Sequence, residues 1–315
     1  SVTDIDDARA VCAKLGIPHY VLNMREIFRK HVIDYFLAEY LRGRTPNPCI
    51  LCNRGVKLGA VLDYADRVGA AYVATGHYAR VAHNPATGRW ELKTGLDPRK
   101  DQSYVLYALT QGQLSRLLLP LGSYGKEEIR ALAREHGLAA VADKADSQDI
   151  CFIPDGDHPA FLERWRGEPF PPGQFVDEAG RPLGPHRGIG RYTVGQRKGL
   201  GIALGQPMFV SRISARDNTV TLVAQEEKLF TRRVWVGDLN LVALPELAGP
   251  VRVEARVRYS QGAAPAALSP DGRGAVLLFD RPQRAPTPGQ GAVFYRGDVL
   301  LGGGTITEPP DPAVQ

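Results

Sequence analysis

Three features of the chain predict an α/β domain with a parallel sheet, followed by a small β-rich domain and a C-terminal β-barrel. Helical periodicity alternates with short apolar strands up to about Trp165, the pattern of a parallel sheet covered by helices. Pro169-Phe-Pro-Pro-Gly173 then breaks that rhythm as a linker. From Val234 to Ile306 short alternating segments separated by Gly and Pro replace helices altogether. The boundaries predicted from these shifts are 1–164, 165–230 and 231–315.

Taken in order, Ala10, Val11 and Leu15 mark a first helix that Gly16 ends. His19–Met24 reads as a short strand. Ile27, Phe28, Val32, Phe36, Leu37, Tyr40 and Leu41 share one helical face, which ends at Gly43. A third helix is expected over Val56–Val68 with Asn53 as its N-cap, then a strand at Tyr72–Ala74. Asn84-Pro-Ala-Thr-Gly88 is a turn joining two strands. Helices are expected at Gln111–Leu119 and Lys126–His136, and a β-like tripeptide at Cys151–Ile153. Barrel strands are expected at Val251–Tyr259, Ala275–Phe279, Ala292–Tyr295 and Val299–Leu301.

The 315 residues suffice for two or three domains, with 43% hydrophobic and 23% charged residues. No apolar run approaches the roughly 18 residues of a membrane helix, which argues against a membrane partner. Four cysteines (Cys12, Cys49, Cys52, Cys151) are too few for a secreted disulfide scaffold, so a reducing cytoplasm is expected. The net charge of +5 favours a polyanionic partner.

The chemistry centres on Arg44-Thr-Pro-Asn-Pro-Cys-Ile-Leu-Cys-Asn-Arg54. Its prolines hold Asn47 and Cys49 out of the helical region. Two cysteines at a helix entrance, flanked by Arg44 and Arg54, sit where dipoles and cations favour thiolate. The spacing alone leaves redox, metal, catalytic, disulfide and inert roles open. Gly76 and His77 follow a strand end, where ligands bind in parallel sheets; a core or turn histidine is the other reading. Cys151 follows a crowd of carboxylates (Asp143, Asp146, Asp149) and reads equally as a small buried hydrophobe. Arg187–Gly205, rich in Gly, Arg and Lys, suits backbone contact with phosphates or is simply a basic turn.

Six stretches together resemble the bacterial-type tRNA 2-thiouridylases, ATP-dependent tRNA-uridine 2-sulfurtransferases. They are Gly43-Arg-Thr-Pro-Asn-Pro with Cys52-Asn53, Ala74-Thr-Gly-His-Tyr78, Lys100-Asp-Gln-Ser-Tyr104, Asp149-Ile-Cys-Phe-Ile153, Thr193-Val-Gly-Gln-Arg-Lys-Gly-Leu-Gly201 and Thr287-Pro-Gly-Gln290. The resemblance implies a PP-loop ATP pyrophosphatase domain (adenine nucleotide alpha hydrolase-like), ATP with Mg2+ as cosubstrate, and thiolation of the wobble uridine in the tRNA anticodon stem-loop. It implies Cys52 as nucleophile, Cys151 as persulfide carrier and Gly76 in the ATP site. Asn47, Pro48 and Cys49 match the segment that meets the target base. His77, Lys100, Asp101, Gln102, Arg258, Tyr259 and Gln290 match positions that contact tRNA. A cysteine desulfurase or sulfur-relay protein is the implied donor.

Two departures accompany the resemblance. The family's Ser-Gly-Gly-Val-Asp-Ser-type phosphate loop does not occur in these residues, so an N-terminally incomplete nucleotide domain is expected. A non-catalytic tRNA-binding fragment is the corresponding alternative. Position 49 is cysteine where many relatives carry aspartate, and three thiolates (Cys49, Cys52, Cys151) can hold a 4Fe–4S cluster with one iron open. Cluster-dependent thiolation is therefore a second alternative.

Overall fold

In the computed structural model, residues 2–144, 150–272 and 274–309 are described, without the side chains of residues 2 and 3. A helix at Val2–Leu15 is followed by non-helical chain over 17–24, then by helical chain over 25–41 and 48–67. The 25–41 helix turns Val32, Ile33, Phe36 and Tyr40 inward, as its periodicity predicts. Full burial of an aromatic such as Phe36 contributes about 1.5–3 kcal/mol. The strand expected at His19–Met24 does not form. Tyr20 is 73% exposed and Val21 57%, and no strand among the described residues pairs with this stretch.

The parallel sheet consists, among the described residues, of two short strands, β1 (Val73–Ala74) and β4 (Leu117–Leu118). Strand β4 overturns the helix expected through Leu119. The helix stops at Leu114 because Val73 N–H donates to the Arg116 carbonyl (2.9 Å) and Thr75 N–H to that of Leu118 (3.1 Å). Long-range pairing wins over local periodicity there. Strands β2 (Ala79–Asn84) and β3 (Arg89–Thr94) form the expected hairpin, closed by Gly88 at φ +66°.

The middle of the chain forms a four-stranded sheet of β5 (Gly173–Val176), β6 (Pro182–His186), β7 (Phe209–Ser214) and β8 (Thr219–Val223), in the order β6-β5-β8-β7. Its core gathers Phe175, Ile189, Tyr192, Val210, Ile213 and Leu222. Beyond it, β9 (Phe230–Leu241), β10 (Val251–Arg256), β11 (Ala264–Asp271), β12 (Gly274–Arg284), β13 (Gly291–Arg296) and β14 (Val299–Thr307) close into an antiparallel barrel through the β13–β14 pairing. Alternation is visible in β10, where Val253 and Ala255 point into the core and Arg252 and Glu254 face solvent.

The hairpin does not stand apart from the barrel. Leu92 and Lys93 of β3 pair with Leu300 and Val299 of β14. One apolar cluster then joins Ile50 and Leu58 of the 48–67 helix, Tyr104–Leu109, and Val293, Tyr295 and Leu300 of the barrel. A second cluster packs Phe36 and Tyr40 against Ile153, Leu162 of the His158–Arg166 helix, and Phe170. Cys151–Ile153 is a turn and not the expected β-like tripeptide: Ile153 N–H donates back to the Ile150 carbonyl (2.9 Å). Of the expected carboxylate run, residues 145–149 lie outside the described residues.

Candidate active site

The Pro-flanked loop lies where all three parts of the chain meet. Gly43 adopts φ +73°, and a Cβ there would stand 2.8 Å from Ile213 Cγ2 of β7. The Thr45 hydroxyl lies 3.2 Å from that of Thr193 in the middle region. From the barrel side, Thr45 N–H donates to the Pro288 carbonyl (2.9 Å), and Gln290 Nε2 donates to the Thr45 carbonyl (2.7 Å). Gly289, at φ +93°, allows that approach, since a Cβ would come within 3.1 Å of the Thr45 backbone.

The helix bearing the cysteines begins at Pro48, eight residues before the expected start. Its N-cap is Asn47, whose side-chain oxygen accepts from Cys49 N–H (3.1 Å), with Pro48 at the first helical position. Asn53 is therefore not the cap. It is 2% exposed inside the helix, and its Nδ2 donates to the Val105 carbonyl (3.1 Å). The capping signal was readable at both asparagines, but only the proline restraint upstream selects Asn47.

Cys49 and Cys151 are exposed, Cys52 is half-buried, and all four cysteines are free thiols. Cys151 stands at the surface because its neighbours are anchored: the Phe152 ring meets Phe28 (5.4 Å) and Phe36 (5.7 Å) edge-on, and Ile153 is 1% exposed. The three sulfurs share one locality, as a charge on Cys151 is felt at both Cys49 and Cys52. The expected activation at rest is reversed. Burial pushes the Cys52 thiol up to about 11 and raises that of Cys49; the Lys57 ammonium opposes burial at both. A helix N-terminus supplies only about 0.3–1 kcal/mol, less than the cost of desolvating a thiolate. Arg44 does not assist, since its guanidinium turns to the buried Glu39 carboxylate (3.6 Å).

Just past β1, Gly76 is exposed, and an added Cβ would meet only Leu121 Cδ1 at 3.5 Å. His77 is 7% exposed, with Nδ1 2.8 Å from the Thr75 hydroxyl. Burial lowers its pKa to about 4, so it is neutral near pH 7. Asp101, 5% exposed, is fully engaged: it accepts from the N–H groups of Gly95 and Ser103 (3.1 Å each), the Ser103 hydroxyl (3.0 Å) and Arg256 Nη1 (3.1 Å). Gln102 exchanges two bonds with the Tyr78 backbone, and Lys100 is half-buried beside it. Arg258 Nη2 donates to the carbonyls of Val194 and Ala285 and to the Thr287 hydroxyl, so it pins the middle region to the barrel. Tyr259 is 46% exposed, stacks edge-on against Tyr104 (5.7 Å) and feels Cys49, Asp101, Lys100 and Arg256.

Family comparison agrees with this architecture domain by domain. Residues 1–155 match the tRNA methyl transferase HUP domain, 159–224 the tRNA methyl transferase PRC-barrel domain, and 231–306 the aminomethyltransferase beta-barrel domain. The tRNA-specific 2-thiouridylase MnmA of Carboxydothermus hydrogenoformans is 52% identical over 307 residues, covering 97% of this chain and 84% of the relative. Those of Acetivibrio thermocellus (51%, 97% of this chain, 85% of the relative) and Heliobacterium modesticaldum (51%, 99% and 81%) are similar to the same degree. The chain belongs to the tRNA-specific 2-thiouridylase family.

For a member of this family, the structure adds residues that motif reading missed. Arg256 and Ser103 surround Asp101, and Tyr295 stands 3.2 Å from the Ser103 hydroxyl. No local pattern signals that network, because it joins positions 155 and 192 residues apart. Gln113 was readable as the partner of Thr110 in a Thr-x-x-Gln capping box. The iron–sulfur alternative finds no support: among the described residues no group of three or more His, Cys, Asp or Glu side chains is placed to hold a metal ion. Burial of Cys52 also opposes the thiolate form that a cluster requires. Among the described residues no helix is long and apolar enough to cross a membrane.

Proposed function

We propose that this chain is a tRNA-uridine 2-sulfurtransferase that thiolates the wobble uridine of an anticodon stem-loop, as the name of its relatives suggests. The observation that carries the reading is the gathering of Cys151 with the Cys49–Cys52 pair, although about a hundred residues of chain separate them. In this reading Cys151, exposed and held on an aromatic anchor, receives a sulfane sulfur from a cysteine desulfurase or relay protein. ATP, with Mg2+, supplies the adenylate that makes the uracil C2 oxygen a leaving group. The open side of Gly76 supports nucleotide binding there, since packing does not require a glycine. The terminal persulfide sulfur attacks C2 and AMP departs with the oxygen. Cys52, deprotonated for the step, attacks Cys151 Sγ, which breaks the sulfur–sulfur bond and leaves a Cys52–Cys151 disulfide for a reductant to reopen.

A Cys52 that is protonated at rest fits this order. A thiol of raised pKa resists premature oxidation, and its anion is the stronger nucleophile once formed. Asn47, Pro48, Cys49, His77, Lys100, Tyr259 and Gln290 then border the place where a splayed base would enter. Asp101, Gln102 and Arg258 act in this reading by holding that border, because their polar atoms are bonded within the fold. The family model's description speaks of methyl transfer, whereas the curated relatives at about half identity are named 2-thiouridylases, and the reading follows them. Mass analysis of tRNA from a strain lacking the gene, re-expressing wild type, Cys52→Ser or Cys151→Ser, tests the proposal. Loss of 2-thiouridine in the deletion and both variants is expected; unchanged 2-thiouridine in the deletion strain overturns it.

A further inference from the structure

The helix carrying the two cysteines is not α-helical throughout. Residues 52–60 form a π-helix, with Val61 N–H donating to the Val56 carbonyl at its end. Runs of that length are rare and need support from outside, and π turns concentrate at functional sites. The support is Gln113. Its Nε2 donates to the carbonyls of Arg54 (2.8 Å) and Leu58 (2.7 Å), four residues apart within the π segment. Its Oε1 is fixed by Thr110 N–H (3.0 Å). Gly59 belongs to the same arrangement, because a Cβ there would lie 2.9 Å from the Arg54 carbonyl oxygen.

The register decides which side chains are neighbours. In an α-helix, positions 52 and 57 would stand about 140° apart around the axis. In the π-helix the i→i+5 bond closes the turn, so Lys57 lies one turn on from Cys52, on its side of the helix. Lys57 is exposed, and no carboxylate among the described residues pairs with it. Its charge reaches Cys49, Cys52 and His77 together, and no other described cation does so. The remaining titratable groups facing the pair are Cys151, on the turn packed beside the 25–41 helix, and Tyr259 from the barrel.

We propose that the π register held by Gln113 serves to set the Lys57 ammonium beside the Cys49–Cys52 pair, making Lys57 the positioning residue that stabilises sulfur anions in this pocket. The purpose rests on the sulfur-transfer reading above, whereas the placement does not. Burial disfavours the Cys52 thiolate that the transfer needs, and a single unpaired cation alongside offsets part of that cost without keeping the thiol ionised at rest.

The test follows thiol ionisation and not turnover. Full-length wild type, Lys57→Met, Lys57→Arg and Gln113→Leu are alkylated with iodoacetamide across a pH series. Rates are read peptide by peptide, with Cys12 on the first helix as an in-sample reference. At a fixed pH below both midpoints, Lys57→Met is expected to slow Cys52 about three- to ten-fold relative to Cys12, with a smaller effect at Cys49. Lys57→Arg restores most of the rate, and Gln113→Leu reproduces the loss with Lys57 intact. Superimposable Cys52 profiles in wild type and Lys57→Met overturn the proposal, as does an arginine variant that behaves like methionine. An unchanged profile in Gln113→Leu overturns the link to the π register. Because no step of the assay uses tRNA, failure of the thiolation reading would show separately, as unchanged 2-thiouridine in the deletion strain.

Discussion

Replacing Asp101 separates a residue that touches tRNA from one that holds the fold. Its carboxylate is 5% exposed and accepts four hydrogen bonds, one of them charge-assisted from Arg256. Asp101→Ala strands two backbone N–H groups and a guanidinium that is itself largely buried. The Ser103 hydroxyl can turn to Tyr295 instead (3.2 Å). Breaking one partner of a buried ion pair costs about 3–5 kcal/mol, so this variant is expected to lose that much. Asp101→Asn keeps the shape and part of the bonding but aims an amide donor at existing donors, and about 2 kcal/mol is expected. Adding Arg256→Met to Asp101→Ala should recover part of the loss, with a coupling of about 1–3 kcal/mol, since the unpaired cation is then gone. Urea unfolding followed by circular dichroism measures the cycle, and amide exchange at Gly95 and Ser103 locates it. An Asp101→Ala protein within about 0.5 kcal/mol of wild type, yet defective in tRNA binding, would refute the reasoning and return Asp101 to the surface.

Three further outcomes are expected. Gly122→Ala places its Cβ onto the Ala79 carbonyl oxygen, so a loss on the order of 3 kcal/mol, or failure to accumulate folded protein, should appear in thermal unfolding. Gln290→Ala removes the bond to the Thr45 carbonyl, costing about 0.5–1.5 kcal/mol and quickening alkylation of Cys49 as the Pro-flanked loop loosens. His77 stays neutral in the fold down to about pH 4 but takes a proton in the unfolded chain near pH 6.5. The unfolded state thus binds more protons between those values, and acidification through that window destabilises the protein by about 1.4 kcal/mol per pH unit from this group. A urea midpoint that falls with pH in wild type and flattens in His77→Asn checks the sign; parallel profiles would count against it.

What could be read from residues alone was whatever repeats locally. The 25–41 helix announces itself through the spacing of Val32, Phe36 and Tyr40, the 84–88 turn through its Asn-Pro and Gly, and the barrel strands through alternation such as Val253 and Ala255. The cysteine loop was legible as a candidate site for the same reason: prolines and an N-capping asparagine are short-range signals. Tertiary structure decided the rest. Leu117 and Leu118 fit a helix by periodicity, and only β1 makes them a strand. His19–Met24 fits a strand and finds no partner. The thiols looked activated by their helix, yet the mass of protein around them sets their ionisation the other way. The motif around Asp101 was legible, but not that Arg256, 155 residues on, engages its carboxylate. Backbone propensity and capping act over a few residues, whereas desolvation, strand pairing and charge pairing depend on which distant segments are brought together, and no local pattern encodes that.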